Sequence, residues 1–209
     1  MRLVIKHQEK YSRGELLLRT FFGWLYIYIP HYFVLFFVSI WGAILQFVAF
    51  WVILFTGRYP QSMFEFQVGL LKWTVRLSAR AYNVSDGYPS FGIKGTDDFT
   101  DLNVPYPEKV DRGLVLLRFF LGLFYVIIPH YFILGFRGIW VGILAFVAWW
   151  VVLFTGRYPE DMHNWVVGQV RWQMRVMLYM QYMTDKYPAF TGDELPEEKA
   201  ESTSVEPNV

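Results

Sequence analysis

Residues 29–60 read IPHYFVLFFVSIWGAILQFVAFWVILFTGRYP, and the chain writes this stretch twice. Pro30-His31-Tyr32-Phe33 returns as Pro129-His130-Tyr131-Phe132, and Phe55-Thr56-Gly57-Arg58-Tyr59-Pro60 returns as Phe154-Thr155-Gly156-Arg157-Tyr158-Pro159, each 99 positions on. Outward from these strings, 13–91 aligns with 112–190 without a gap and about half of the positions are identical. The chain is a tandem duplication of one apolar unit.

The charges show what solvent that unit expects. Between Leu16 and Thr56 the only charged side chain is Arg19, and between Leu114 and Thr155 only Arg118 and Arg137. A bilayer core about 30 Å thick needs roughly 20 apolar residues per helical crossing, so each run has the length of two. With 209 residues, 55% of them hydrophobic, and a net charge of +1, nothing suggests a nucleic-acid partner. No cysteine is present, which excludes disulfides, thiolate catalysis and cysteine-based metal sites. The polar start, MRLVIKHQEKYSRGE, precedes an apolar run too long for a signal-peptide core, so no cleaved signal is expected.

The expected fold is all-α and polytopic: two repeats, each a transmembrane helical hairpin followed by an amphipathic interfacial helix. Leu16–Phe37 reads as one span bent at Pro30, which has no N–H to donate, and Ile40–Phe55 as its return. The turn falls near Val38-Ser39 because the second copy has Arg137-Gly138 there. An arginine at mid-bilayer costs about 2.5 to 3.5 kcal/mol on insertion scales but lies in water at a hairpin tip. The rival is one long span from Pro30 in each repeat, with the repeats inverted. Even crossings leave Arg13, Arg19, Arg58, Arg76, Arg112, Arg118, Arg157 and Arg175 on the side of the basic leader, as the positive-inside rule requires.

Thr56-Gly57-Arg58-Tyr59-Pro60 stops one helix and starts another: glycine can close a helix left-handed, and proline opens the next. Gln61 to about Asn83 then carries apolar residues at helical spacing beside Lys72, Arg76 and Arg80, four apart. Its polar stripe is narrow, so this helix is expected to be sunk deep or covered. The boundaries read as a basic leader (1–12), repeat 1 (13–91), a polar linker (92–111), repeat 2 (112–190) and a disordered acidic tail (191–209).

The IPHY step, the aromatic run ending in LFTGRYP, the VG...RW..R helix and the closing D.YP.F string resemble a bacterial membrane-protein family catalogued as domain of unknown function 4389. The resemblance covers both repeats. It implies a bacterial, membrane-embedded protein and brings no catalytic residue with it.

Two constellations are candidate sites. His31 and His130 lie deep in apolar runs and could jointly hold a haem or a metal if the repeats pack about a pseudo-twofold axis. Otherwise each satisfies a backbone carbonyl freed by the proline, or a tyrosine such as Tyr32 or Tyr131. Arg58, Lys72, Arg76, Arg157, Arg171 and Arg175 could hold anionic lipid headgroups. Alternatively they snorkel and mark topology, with Asp86 and Asp185 available as partners. GxGxxG, Walker, HExxH and GxSxG patterns are all absent, and no carboxylate lies in the apolar runs. The expectation is a non-enzymatic structural or accessory protein of the bacterial inner membrane, with cytoplasmic termini and no resident cofactor. Its expected partners are membrane lipids and another membrane protein or a second copy. A lipid- or amphiphile-handling protein and a bis-histidine haem or quinone carrier are the alternatives.

Overall fold

The computed structural model describes residues 1–203, and the side chains of 1–199. Ser12 opens helix α1 (Arg13–Gly23) by accepting a hydrogen bond from the Glu15 amide, as an N-cap should. A π-helical turn (Trp24–Tyr28) follows and then α2 (Ile29–Thr56), with no break between them. The π turn is the answer to Pro30: the Ile29 N–H reaches back five residues to the Trp24 carbonyl, and the helix runs on past the proline. Repeat 2 does the same with Asp111 as cap, α4 (Arg112–Gly122), a π turn (Leu123–Ile127) and α5 (Ile128–Thr155).

Each repeat therefore contains one continuous 44-residue helix, Arg13–Thr56 and Arg112–Thr155, long and apolar enough to cross a membrane. The hairpin turn expected at Val38-Ser39 and Arg137-Gly138 does not form. Arg137 needs no turn to escape lipid, because its guanidinium lies 4.4 Å from the Trp165 ring centroid and donates to the Trp165 carbonyl at 3.3 Å.

Gly57 ends the first long helix at φ 72° and Gly156 the second at φ 73°, each with its N–H on the carbonyl four residues back. Thr56 Oγ1 donates to the Val52 carbonyl and accepts from the Arg58 amide, and Thr155 repeats this between Val151 and Arg157. Helices α3 (Gln61–Ala81) and α6 (Glu160–Met180) then fold back along α2 and α5. They are central rather than interfacial, with ten and thirteen buried residues respectively.

The two long helices run antiparallel with their ends paired. Phe50 stacks on Phe119 at 4.6 Å, and Trp149 Nε1 donates to Thr20 Oγ1 at 2.8 Å. The Tyr11 amide donates to the Gly156 carbonyl and the Val110 amide to that of Gly57, so each repeat's entry closes the other's long helix. The main core joins both repeats through residues such as Ile53, Leu71, Val75, Val152, Val170 and Met174.

The remaining segments roof the central helices. The leader is not loose: β1 (Arg2–Ile5) pairs antiparallel with β2 (Thr100–Asn103), Leu3 opposite Leu102, so a small sheet joins the helices of the expected all-α class. The segment from Gly92 onward runs beside α3 so closely that a Cβ on Gly69 would lie 2.8 Å from the Ile93 carbonyl oxygen. In the C-terminal tail, α7 (Pro196–Thr203) forms where disorder was expected, anchored by the buried Glu198, and the rest of that tail, 204–209, lies outside the described residues.

Candidate functional site

The long helices bury only a narrow stripe. In the first it is Leu16, Arg19, Gly23, Ile27, His31, Leu35, Gly42, Ala49, Phe50 and Ile53; in the second Val115, Arg118, Gly122, Val126, His130, Leu134, Val141, Ala148 and Val152. Most of the rest of each helix is exposed apolar side chain, from Leu17 to Phe55 and from Leu116 to Phe154. Phe33 is 65% exposed and Phe132 67%. So long a continuous apolar surface marks an interaction face.

Away from that face, polar contacts tie α3 and α6 to the segments that cover them. Lys72 pairs with Asp101 at 2.9 Å, and Arg80 with Asp97 at 2.7 Å. Arg76 donates to the Gly95 and Gly92 carbonyls at 2.6 and 2.5 Å. In repeat 2, Arg171 donates to the Gly192 carbonyl and Glu194, and Arg175 to the Thr191 and Asp193 carbonyls and to Glu198.

These contacts separate the six expected headgroup cations. Arg76, Arg171 and Arg175 are buried cross-braces between a central helix and the roof, and burial lowers the pKa of Arg76 and of Arg171 from the ordinary arginine value. Lys72 is half-buried on its aspartate. Only Arg58 and Arg157 stand exposed, at the ends of the long helices. Tyr59 and Tyr158 beside them are buried instead of facing headgroups; Tyr59 donates to Gln46 Oε1 at 2.8 Å, and its carbonyl accepts from Tyr106.

The histidines occupy two separate aromatic cages. His31 Nδ1 accepts from Trp73 Nε1 at 2.8 Å, and its ring lies flat on Phe91, centroids 3.7 Å apart, with Tyr88 at 5.4 Å. His130 repeats this with Trp172 at 2.8 Å, Phe190 at 3.9 Å and Tyr187 at 5.4 Å. The tryptophan donor leaves Nδ1 unprotonated and puts the imidazole proton on Nε2. Expectation had given these histidines a carbonyl or a neighbouring tyrosine; the partner is an indole 42 residues away. The cages belong to different apolar clusters, and the contacts of one imidazole share no residue with those of the other. A haem held between both histidines does not fit that arrangement. Among the described residues no three acidic or histidine side chains are grouped to hold a metal ion.

The sequence reading missed the buried latch that closes each repeat. Arg19 donates to the Ser85 carbonyl at 2.5 Å and to Asp86 Oδ1 at 2.8 Å, while Asp86 Oδ2 accepts from the amide of the cap residue Ser12 at 2.6 Å. Arg118, Asp185 and the Asp111 amide repeat the arrangement, with the Arg118 guanidinium also 3.9 Å from the Tyr179 ring centroid. Asp86 and Asp185 thus serve Arg19 and Arg118, not the stripe arginines. Recurrence of both members at the 99-residue spacing was the available signal.

A family model described as a domain of unknown function, DUF4389, matches residues 15–92 and again 115–192. No curated protein matches the chain, and no solved structure does.

Proposed function

The chain belongs to the DUF4389 family, with two copies of its domain in tandem, and from that premise and the exposed apolar face we propose a non-enzymatic membrane protein that seats both long helices in lipid. It acts as a structural or accessory component, binding lipid and a membrane-protein partner. The observation that carries this reading is the unbroken run of exposed apolar side chains along both 44-residue helices.

The way it sits follows from two lengths. At 1.5 Å per residue each long helix measures about 66 Å, roughly twice the hydrocarbon thickness. The polar roof also accompanies the first half of α2, one helix away: α3 meets α2 from His31–Trp73 to Gly42–Gln67, and carries Arg80, Arg76 and Lys72 with their partners Asp97, Gly92 and Asp101. Two crossings per repeat need a turn that the helix does not make, and an upright helix would draw those charges into hydrocarbon at several kcal/mol each. A helix lying along one leaflet, with its apolar arc down and the roof in water, meets neither objection. Arg58 and Arg157 then reach the headgroups, and the basic leader favours the anionic cytoplasmic leaflet of a bacterial inner membrane. Flotation of the purified chain with vesicles tests the reading: recovery in the lipid fraction supports it, and a monodisperse protein that stays in buffer without detergent overturns it.

A further inference from the structure

Duplication supplies an internal control, because each surface of one repeat has a counterpart 99 residues away. Among the places where the copies differ, one opens a hollow. Between α1, the end of α3 and the last third of α5 lies a groove of about 500 Å³, within the range of small-ligand sites. Its walls include Thr20, Ala81, Asn83 and Ala145. The counterparts are Phe119, Met180, Tyr182 and Gln46, all larger, and they fill the equivalent space: Phe50 stacks on Phe119 and lies 6.0 Å from Tyr182, and Gln46 donates to the Gln181 carbonyl at 3.0 Å. Four small-for-large exchanges converge on a single hollow, where two others, Tyr28 for Ile127 and Trp149 for Phe50, run the opposite way.

The hollow is amphipathic. Phe146, Trp149 and Trp150 form an aromatic wall continuous with the exposed face of α5, and Trp149 is fixed by its bond to Thr20. At the inner end are Arg19, Arg80 and Asn83, the two arginines buried. Their carboxylate partners, Asp86 and Asp97, do not line the groove. Asn83 Oδ1 is a buried acceptor with no hydrogen-bond partner, which folded proteins rarely tolerate unless something else completes it; Arg19 Nε is unpaired too, but so is Arg118 Nε in the filled repeat. In repeat 2 the residue matching Arg80 is Tyr179, which covers the guanidinium of Arg118.

We infer that this groove binds an acidic, acyl-tailed amphiphile, an O–H of its head donating to Asn83 Oδ1 beside the Arg19 and Arg80 guanidiniums and its tail lying along Trp149, Trp150 and Phe146. The site deepens the proposed membrane role and rests on it, since the ligand enters from the lipid-facing side. Free fatty acids and acidic phospholipids share this chemistry.

The test uses the full chain in non-ionic detergent, with oleate and dioleoylphosphatidate as separate probes and native mass spectrometry as readout. One molecule per chain is expected for at least one probe; oleate alone identifies a free carboxylate ligand, phosphatidate alone a phospholipid. Asn83→Tyr and Ala145→Gln copy the filled counterpart and should each weaken binding at least tenfold. Both are compatible with the fold: Tyr182 holds φ 61° where Asn83 holds 55°, and glutamine already stands at position 46. Absence of one-to-one binding by either probe, equal binding by both filled variants, or equally tight dioleoylphosphatidylcholine would overturn the inference. Vesicle flotation run in parallel separates the two ideas: a chain that floats but binds neither probe loses only the groove, whereas one that does not float loses the membrane reading.

Discussion

Replacing Asp86 with asparagine should damage the fold more than any other single isosteric change in repeat 1. The Asp86 side chain is 12% exposed and that of Arg19 4%, so the substitution leaves a guanidinium in the interior without its counter-charge. Breaking a buried pair from one side costs about 3 to 5 kcal/mol, of which roughly 1.5 to 3 is the charge-assisted hydrogen bond itself. Asparagine can still accept from the Ser12 amide, so the cap of α1 survives and the loss isolates the Arg19 contact. Reversible unfolding in micelles, followed by tryptophan fluorescence, measures it. Arg19→Met with Asp86→Asn should cost less than the sum of the single changes, by about 2 kcal/mol or more, because the orphaned charge is gone. A single-variant loss below about 1 kcal/mol with additive behaviour in the double variant would refute the latch.

Trp73→Phe keeps the aromatic packing but removes the donor to His31 Nδ1, leaving a buried acceptor unpaired; stability should fall by about 1 to 3 kcal/mol, and Trp172→Phe should match it through His130. A further expectation concerns pH. Burial, reinforced by the nearby His7 ring, pushes the His163 pKa down from 6.5 to about 4. Above pH 6.5 neither the folded nor the unfolded state is protonated there and stability is full; between 6.5 and 4 the unfolded chain takes the proton first and stability drains away, by on the order of 3 kcal/mol. His163→Phe, which copies Phe64 of the other repeat, should make that slope shallower, the buried His31 and His130 supplying the remainder, as denaturation midpoints at pH 7 and pH 4.5 would show.

Repetition made much of the fold legible. The apolar runs, the stop at Thr56-Gly57 and its copy, and the return helices could be read because glycine chemistry and helical periodicity are local. The absence of a turn at Arg137 was not legible, since the expectation assumed lipid on every side of that arginine, while Trp165 and Gly168 of α6 in fact shelter it. Nor were the partners of Arg76, Arg80 and Arg175 legible. Gly92 and Asp97 lie in a loop without periodic pattern and Glu198 on the short helix α7, and only the folded chain brings them against the central helices. The histidines were singled out for good reason, as deeply placed ionisable groups, but their cage was hidden in a tryptophan that looked like packing.

The chain contains no native cysteine, so single spin-labelled cysteines at Phe22, Phe33, Trp41, Phe47 and Phe55 report membrane depth without background. In reconstituted vesicles, oxygen and nickel-chelate accessibility should give one shallow depth at all five sites, with labels at Arg58 and Arg157 on the same face of the bilayer. A depth that rises to a maximum near Phe33 or Trp41 and falls again toward the opposite headgroups would mean that the long helix crosses, and would contradict the account.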